Sequence, residues 1–278
     1  VAIEEKDLND VMAGRDGAAL VTGAARRIGL AIAERLAREG RPVVLHASAR
    51  SAEDAELAAQ AIRHRGGRAA VAIADLADAD ETQRLIETAT RAFGPLSVLV
   101  NNASIFEVDA ADDFALALYE RQMAINLRAP LLLARDFAAR LPAPAEGVVI
   151  NVIDQRVWRL TPRYFSYTLA KSALWTATRT MAQGFAPRIR VNAVGPGPVF
   201  PNAALGDREF DIEAHGVPLG HAVELSGVVD AVIYLIGARS VTGQMIAVDS
   251  GQHLAWRTPD VATDEDSTSV NNSQTKTL

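Results

Sequence analysis

At 278 residues the chain is long enough for one large α/β unit or two small ones, and its net charge of −6 is spread without the Lys/Arg block of a nucleic-acid footprint. It has no cysteine, which excludes disulfides, thiolate nucleophiles and thiolate metal sites, and its five histidines form no H-x-x-x-H pair. No apolar run approaches the roughly 18 residues of a membrane span, and the opening VAIEEKDLNDVMAGRDG carries no signal-peptide pattern. The expectation is a soluble cytoplasmic protein with no membrane, metal or nucleic-acid partner.

Residues 1–16 are polar and aperiodic and read as an extension. The apolar stretch 18–21 then runs as a strand into TGAARRIG (residues 22–29) and the helical pattern LAIAERLAREG, with Gly40 as its C-cap. Strand, glycine turn and helix together make a phosphate-binding context. Gly23 allows a tight turn and close approach to a pyrophosphate, Gly29 allows close helix packing, and the helix N-terminus offers free N–H groups to the anion. Residues 42–45 form the next strand, followed by HASARS (46–51), where a dinucleotide's adenosine ribose would lie. An acidic residue there would accept from a ribose 2′-OH; this loop offers Arg50 with Ser48 and Ser51, which suits a 2′-phosphate and hence NADP. The alternative is a solvated surface arginine.

Residues 52–65 read as an amphipathic helix, 68–74 as a third strand closed by Asp75, and 78–92 as another helix. Residues 97–100 form a fourth strand leading into NNAS (101–104), whose asparagines suit exposed backbone groups at a sheet end. Residues 112–140 are helical with an interruption at Asn126, which marks a kink or a bound water. Residues 147–152 are the fifth strand, 163–185 a helix, 189–194 the sixth strand, and GPGP (195–198) a rigid turn. Residues 199–225 are mixed, with several prolines and glycines, and read as a mobile segment covering the cleft. A last helix (226–237) and strand (245–248) follow, and residues 258–278 read as a disordered acidic tail. Strands alternating with helices, and no internal repeat, predict a single domain over 17–257: an α/β doubly wound, Rossmann-type parallel sheet of about seven strands.

The chemistry concentrates after the fifth strand. Tyr167 and Lys171 are four apart and share one helix face, placing a phenol beside an ammonium. A nearby positive charge favours the phenolate, so a pKa lowered from about 10 is expected. Asp154 lies at the strand end, where open α/β sheets place ligands.

TGAARRIG, NNA, Asn126, Y-x-x-x-K and GPGP, in this order over residues 18–256, resemble the short-chain dehydrogenase/reductase family. The resemblance implies that Tyr167 is the general acid/base, that Lys171 binds the nicotinamide ribose and lowers the Tyr167 pKa, that Asn126 holds a relay water, and that Asp75 bonds the adenine. It also extends the cofactor site, NADP(H), over Gly23, Arg27, Ile28, Gly29, His46, Arg50, Ser51, Asp75, Leu76, Asn102, Ala103, Pro196 and Gly197, and implies a homotetramer. The family usually has glycine at Arg27 and serine at Asp154. These departures, with Ser104, Phe106 and the basic HASARS loop, resemble its pteridine reductase branch, including the dihydromonapterin reductases, although the loop is one residue longer between His46 and Arg50. In that branch the matches to Phe106 and the nicotinamide sandwich a pterin, the match to Ser104 bonds it, and the match to Arg27 bridges cofactor phosphate and substrate. Phe106 can also be read as loop packing, Trp158 as pocket wall or substrate contact, and Trp175 as core or subunit interface.

Three functions compete. The first is an NADPH-dependent reductase of a pterin-type C=N bond, with dihydrofolate as a further substrate. The second is a carbonyl reductase or alcohol dehydrogenase. The third is a non-catalytic NADP sensor, against which the intact Asn126, Tyr167 and Lys171 set argues. Asp154 separates the first two: a carboxylate repels the alkoxide that develops in carbonyl reduction, whereas a buried carboxylic acid can relay a proton to nitrogen.

Overall fold

The computed structural model describes residues 17–201 and 206–255. The predicted extension, the acidic tail, residues 202–205 of the mixed segment and Trp256 lie outside the described residues.

Seven parallel strands form one sheet in the order β3-β2-β1-β4-β5-β6-β7. They are β1 Ala18–Val21, β2 Val43–Ala47, β3 Ala69–Ile73, β4 Leu96–Asn101, β5 Gly147–Val152, β6 Ile189–Pro196 and β7 Met245–Val248. The helices are α1 Arg27–Arg38, α2 Ala52–His64, α3 Ala79–Phe93, α4 Leu116–Met123, α5 Ala129–Arg140, α6 Phe165–Phe185, α7 Asp207–His215 and α8 Leu225–Gly237.

Alternation along the central strands builds two cores. Ala19 and Val21 of β1 face one side with Ile32 and Leu36 of α1, Ile62 of α2 and Val232 of α8. Ala18 and Leu20 face the other with Leu85 of α3, Leu133 and Phe137 of α5 and Ala182 of α6. Strands covered on both faces have no polar side to show, which is why β1 and β5 are buried at every residue. The strand order reverses between β1 and β4, so the crevice between their carboxyl ends is the topological switch point where ligands bind in such sheets.

Several boundaries differ from the sequence reading. β6 runs two residues further, because Gly195 and Pro196 still pair with Ala247 and Val248. α6 starts at Phe165 because Tyr164 is left-handed, at φ 62°. The helical stretch 112–140 is α4 and α5 joined by a π-helical turn, Ala124–Arg128, with Asn126 inside it. The mixed segment contains α7, which was not anticipated. Among the described residues no helix is long and apolar enough to cross a membrane, and no group of three or more His, Cys, Asp or Glu is placed to hold a metal.

Candidate active site

The glycine turn is shaped for an anion. Gly23 has φ +63°, and a Cβ there would lie 2.9 Å from the Ala103 Cα; a Cβ at Gly29 would lie 2.3 Å from the Gly23 carbonyl oxygen. Thr22 and Asn102 lock the turn to the end of β4. Thr22 Oγ1 accepts from the N–H groups of Asn102 (2.9 Å) and Ala103 (3.0 Å), and Asn102 Nδ2 donates to the Thr22 carbonyl at 2.9 Å. The first turn of α1 has no acidic residue and no side-chain cap, so its N–H groups remain available to a phosphate. Arg26, Arg27 and Arg50 are exposed, and Ile28 and Gly29 lie in that first turn. These residues fit a dinucleotide phosphate. Arg27 holds φ +54°, which explains why glycine would suit this position; an arginine there carries a backbone cost of about 1 kcal/mol. Its guanidinium lies 5.6 Å from the Phe200 ring centroid.

The expected adenosine end divides into braces and exposed groups. His46 is a buried brace. Its Nδ1 accepts from the Gly23 N–H at 3.2 Å, so Nε2 carries the proton and donates to the Ala74 carbonyl at 3.1 Å. With both ring nitrogens committed to backbone, its side chain ties β1, β2 and β3 together at the end of the crevice where the adenosine ribose is expected. Leu76 likewise sends its side chain into the core. Asp75 is exposed at the end of β3, with Oδ1 accepting from the Ala77 N–H at 2.9 Å, while Arg50 and Ser51 sit on the short turn Ala49–Ser51. Pro196 is buried at the end of β6, and a Cβ on Gly197 would meet the Asp249 Cα at 2.7 Å.

Burial lowers the His46 pKa to about 4, against the partial compensation of the Ala74 carbonyl. Between about pH 6.5 and 4 the unfolded chain binds a proton that the folded chain refuses, so stability is full above this window and falls as pH drops through it. The loss from this group reaches about 3 kcal/mol. Urea unfolding midpoints should fall across the window in the wild type and fall less in His46→Gln. Parallel pH dependences in the two proteins would remove His46 as the cause.

The opposite end of the crevice collects the expected catalytic groups. Tyr167 Oη donates to Asp154 Oδ2 at 3.0 Å, and the buried Lys171 Nζ donates to the Val152 carbonyl at 2.8 Å. Burial raises the Asp154 pKa; Arg156, the Arg156 N–H, Tyr167 and Lys171 oppose that rise, and 17% of the side chain remains exposed. Burial, and then the Asp154 charge, push the Tyr167 phenol well above 10. This is the reverse of the expected direction. The Lys171 nitrogen lies 5.6 Å from the Tyr167 ring centroid, whereas the carboxyl group touches the hydroxyl and outweighs it. Burial lowers Lys171 to about 8, with Asp154 pulling it back up. In the Tyr167–Asp154 pair the phenol is the donor, and burial shifts both groups toward their protonated forms.

Asn126 closes the site's floor. Its Oδ1 accepts from Ser104 Oγ (2.9 Å) and the Ile105 N–H (3.0 Å), and its Nδ2 donates to the Ile105 carbonyl and to Gln122 Oε1, both at 2.9 Å. The amide clamps the NNAS loop directly, and the π-helical turn aims it there. The Asn101 and Asn151 side chains pair at 2.9 Å, and Asn151 donates to Thr178 Oγ1 at 2.9 Å, tying β4 and β5 to α6. Phe106 stacks on Tyr164, centroids 4.0 Å apart and planes 9° apart, and meets Tyr167 edge-on at 4.7 Å. Loop packing is thus part of its role, and any stacked ligand must use its opposite face. Trp158 is 44% exposed and touches Trp175 and His253 edge-on; Trp175 packs partly buried against Leu174 and Ile153.

Residues absent from the sequence reading hold this arrangement. Both carboxylate oxygens of the buried Asp109 accept from the Ser166 N–H, at 3.1 and 3.2 Å, and its carbonyl accepts from Tyr164 N at 2.9 Å. It caps α6 from 57 residues away, so no local pattern shows it. Gln122 donates to the Glu107 carbonyl at 3.1 Å, and its i, i+4 spacing to Asn126 was a readable signal. Arg156 contacts Asp154 and, through an ion pair, Glu213 of α7.

The family model described as enoyl-(acyl carrier protein) reductase matches residues 23–253. FolM alternative dihydrofolate reductase 1 from Brucella canis, solved with NADP, is 47% identical, with 90% of this chain and 99% of that one covered and a TM-score of 0.86. The Brucella suis protein of the same name, also solved with NADP, is 48% identical over 89% of this chain and 99% of that one, with a TM-score of 0.86. A short-chain type dehydrogenase/reductase of Picea abies is 33% identical, covering 84% of this chain and 91% of its own length. With the parallel sheet, the glycine turn and the Tyr167/Lys171 helix, these similarities show that the chain is an oxidoreductase belonging to the short-chain dehydrogenase/reductase family.

Proposed function

We propose that this oxidoreductase reduces the C=N bond of a dihydropterin to the tetrahydropterin with NADPH, and accepts dihydrofolate as a related substrate. The observation that carries the reading is the Tyr167 to Asp154 hydrogen bond of 3.0 Å, with the carboxyl pKa raised by burial. Where the wider family offers a hydroxyl, this chain offers an acid able to take up and pass on a proton. The 47% identity to an alternative dihydrofolate reductase supports the same substrate class.

NADPH, when bound, supplies the hydride that adds to the carbon of the C=N bond. The chain's residues supply the rest. The first turn of α1, with Arg27 and Arg50, holds the phosphates. Tyr167 Oη and Asp154 Oδ2 deliver one proton to the ring nitrogen, completing the two-electron reduction, and solvent restores it through the partly exposed carboxyl. Lys171 keeps a positive charge beside the pair and braces it to β5 through Val152, while Asn126 keeps Ser104 and the Phe106 loop in place. The assembly proposed for the working enzyme is a homotetramer in the cytoplasm.

The test is NADPH oxidation with dihydrobiopterin, dihydromonapterin, dihydrofolate and simple ketones. Turnover of the dihydropterins well above the ketones is expected, and ketone reduction without dihydropterin turnover contradicts the proposal. NADPH should also be preferred over NADH. A charge-assisted contact to the 2′-phosphate contributes about 1.5 to 3 kcal/mol, or roughly ten- to a hundredfold in affinity. Equal kcat/KM for the two cofactors would contradict the preference, and an unaffected Arg50→Ala would remove Arg50 from the contact.

A further inference from the structure

Arg156 lies two residues beyond Asp154 on the turn Gln155–Val157, with only 14% of its side chain exposed. Its guanidinium stands between two carboxylates. Nε is 3.9 Å from Asp154 Oδ2, and Nη2 is 3.7 Å from Glu213 Oε1 on α7. Nη1 donates to Thr161 Oγ1 at 3.2 Å. Glu213 is itself held, since its Oε1 accepts from Gln252 Nε2 at 2.7 Å.

The neighbouring rings do not hold Arg156. Its Cζ is 5.5 Å from the Phe106 centroid and 4.9 Å from that of Tyr164, while those parallel rings are 4.0 Å apart. A cation over either outer face would be much nearer one centroid than the other. Arg156 therefore sits beside the stack, at the ring edges, where the quadrupole offers a cation no attraction. The two carboxylates and Thr161 decide where it stands.

We propose that Arg156 is a positioning residue that holds the Asp154 carboxyl in register with Tyr167 and sets its charge, and that Glu213 tempers this by sharing the guanidinium. The inference rests on the dihydropterin reading only for the reaction it affects. The other groups facing Asp154 are the Arg156 N–H, which donates to Oδ1 at 2.8 Å and is kept in any side-chain variant, Tyr167 and Lys171 from α6 and, from β6, the backbone at Gly195. His253, near Trp158, is occupied by Asp249 at 2.7 Å. A cation near a carboxylate favours its ionised form. Removing the Arg156 charge must raise the Asp154 midpoint, and removing the Glu213 charge must lower it, because the guanidinium then acts on Asp154 alone. A merely structural turn gives no such opposition of sign.

The measurement is a ¹³C NMR titration of the full chain, labelled at aspartate carboxyl carbons and free of cofactor, with the Asp154 signal assigned by its loss in Asp154→Asn. Arg156→Met should raise the midpoint by about one unit, the low end of the range for an aspartate beside an arginine, and Arg156→Lys should restore most of it. Glu213→Gln, which keeps an acceptor for Gln252, should lower it by less, because Glu213 is 39% exposed and screened. An unmoved midpoint in Arg156→Met, or an unmoved or raised one in Glu213→Gln, overturns the inference; the second variant decides the matter if the first does not fold. Dihydropterin turnover is assayed in parallel. Opposed NMR shifts without wild-type turnover would reject the substrate reading and leave the Arg156 inference standing.

Discussion

Asp154→Ser is expected to lower dihydropterin reduction by about 10²- to 10⁴-fold, the range typical of losing a positioned acid, while ketone reduction stays level or rises. The substitution removes the carboxyl oxygen that accepts from Tyr167 at 3.0 Å and restores a hydroxyl suited to a developing alkoxide. It also leaves the Arg156 guanidinium without one of its two carboxylates, so thermal unfolding must be followed alongside activity. If the variant folds normally and loses both activities in equal proportion, Asp154 shapes the site without choosing the reaction. The dihydropterin reading would then rest on Arg27, Ser104 and Phe106.

Tyr167→Phe should fold, bind NADPH and turn over about 10²- to 10⁴-fold more slowly. The ring keeps its edge contact with Phe106 and its place on α6, because Asp109 caps that helix independently of the phenol. What disappears is the hydroxyl that donates to Asp154 and faces the substrate nitrogen in the proposed proton transfer. Retention of more than about a tenth of wild-type kcat would show that Tyr167 is not the acid, since even the weakest general acid–base contributions are larger.

The parts of this site that could be read from the sequence are those encoded by short spacings. Tyr167 and Lys171 are one helical turn apart, Gly23 and Gly29 bracket a strand-to-helix turn, and Asp154 follows an apolar strand, so local periodicity alone brings each to the crevice. The single sheet followed from the same alternation. Asn126 was legible as an interruption, but not as the clamp on Ser104 and Ile105, because its partners lie 21 and 22 residues away on another element. Asp109 was invisible for the same reason. His46 is legible as the end of β2, but its bracing of the Gly23 N–H and the Ala74 carbonyl is not, since those partners are set by the strands beside it. The Tyr167 pKa moves the other way because the spacing to Lys171 is printed in the sequence, while the burial of the phenol and its contact with Asp154 are not. α7 went unread in a segment whose prolines and glycines mask a nine-residue helix.

The most direct test of the dihydropterin assignment is competition for one labelled hydride. The protein is given limiting NADPH, deuterated at the transferred position, with equal concentrations of a dihydropterin and a simple ketone, and the products are read by mass spectrometry. The account predicts deuterium in the tetrahydropterin; label recovered in the alcohol, with the dihydropterin unchanged, would contradict it.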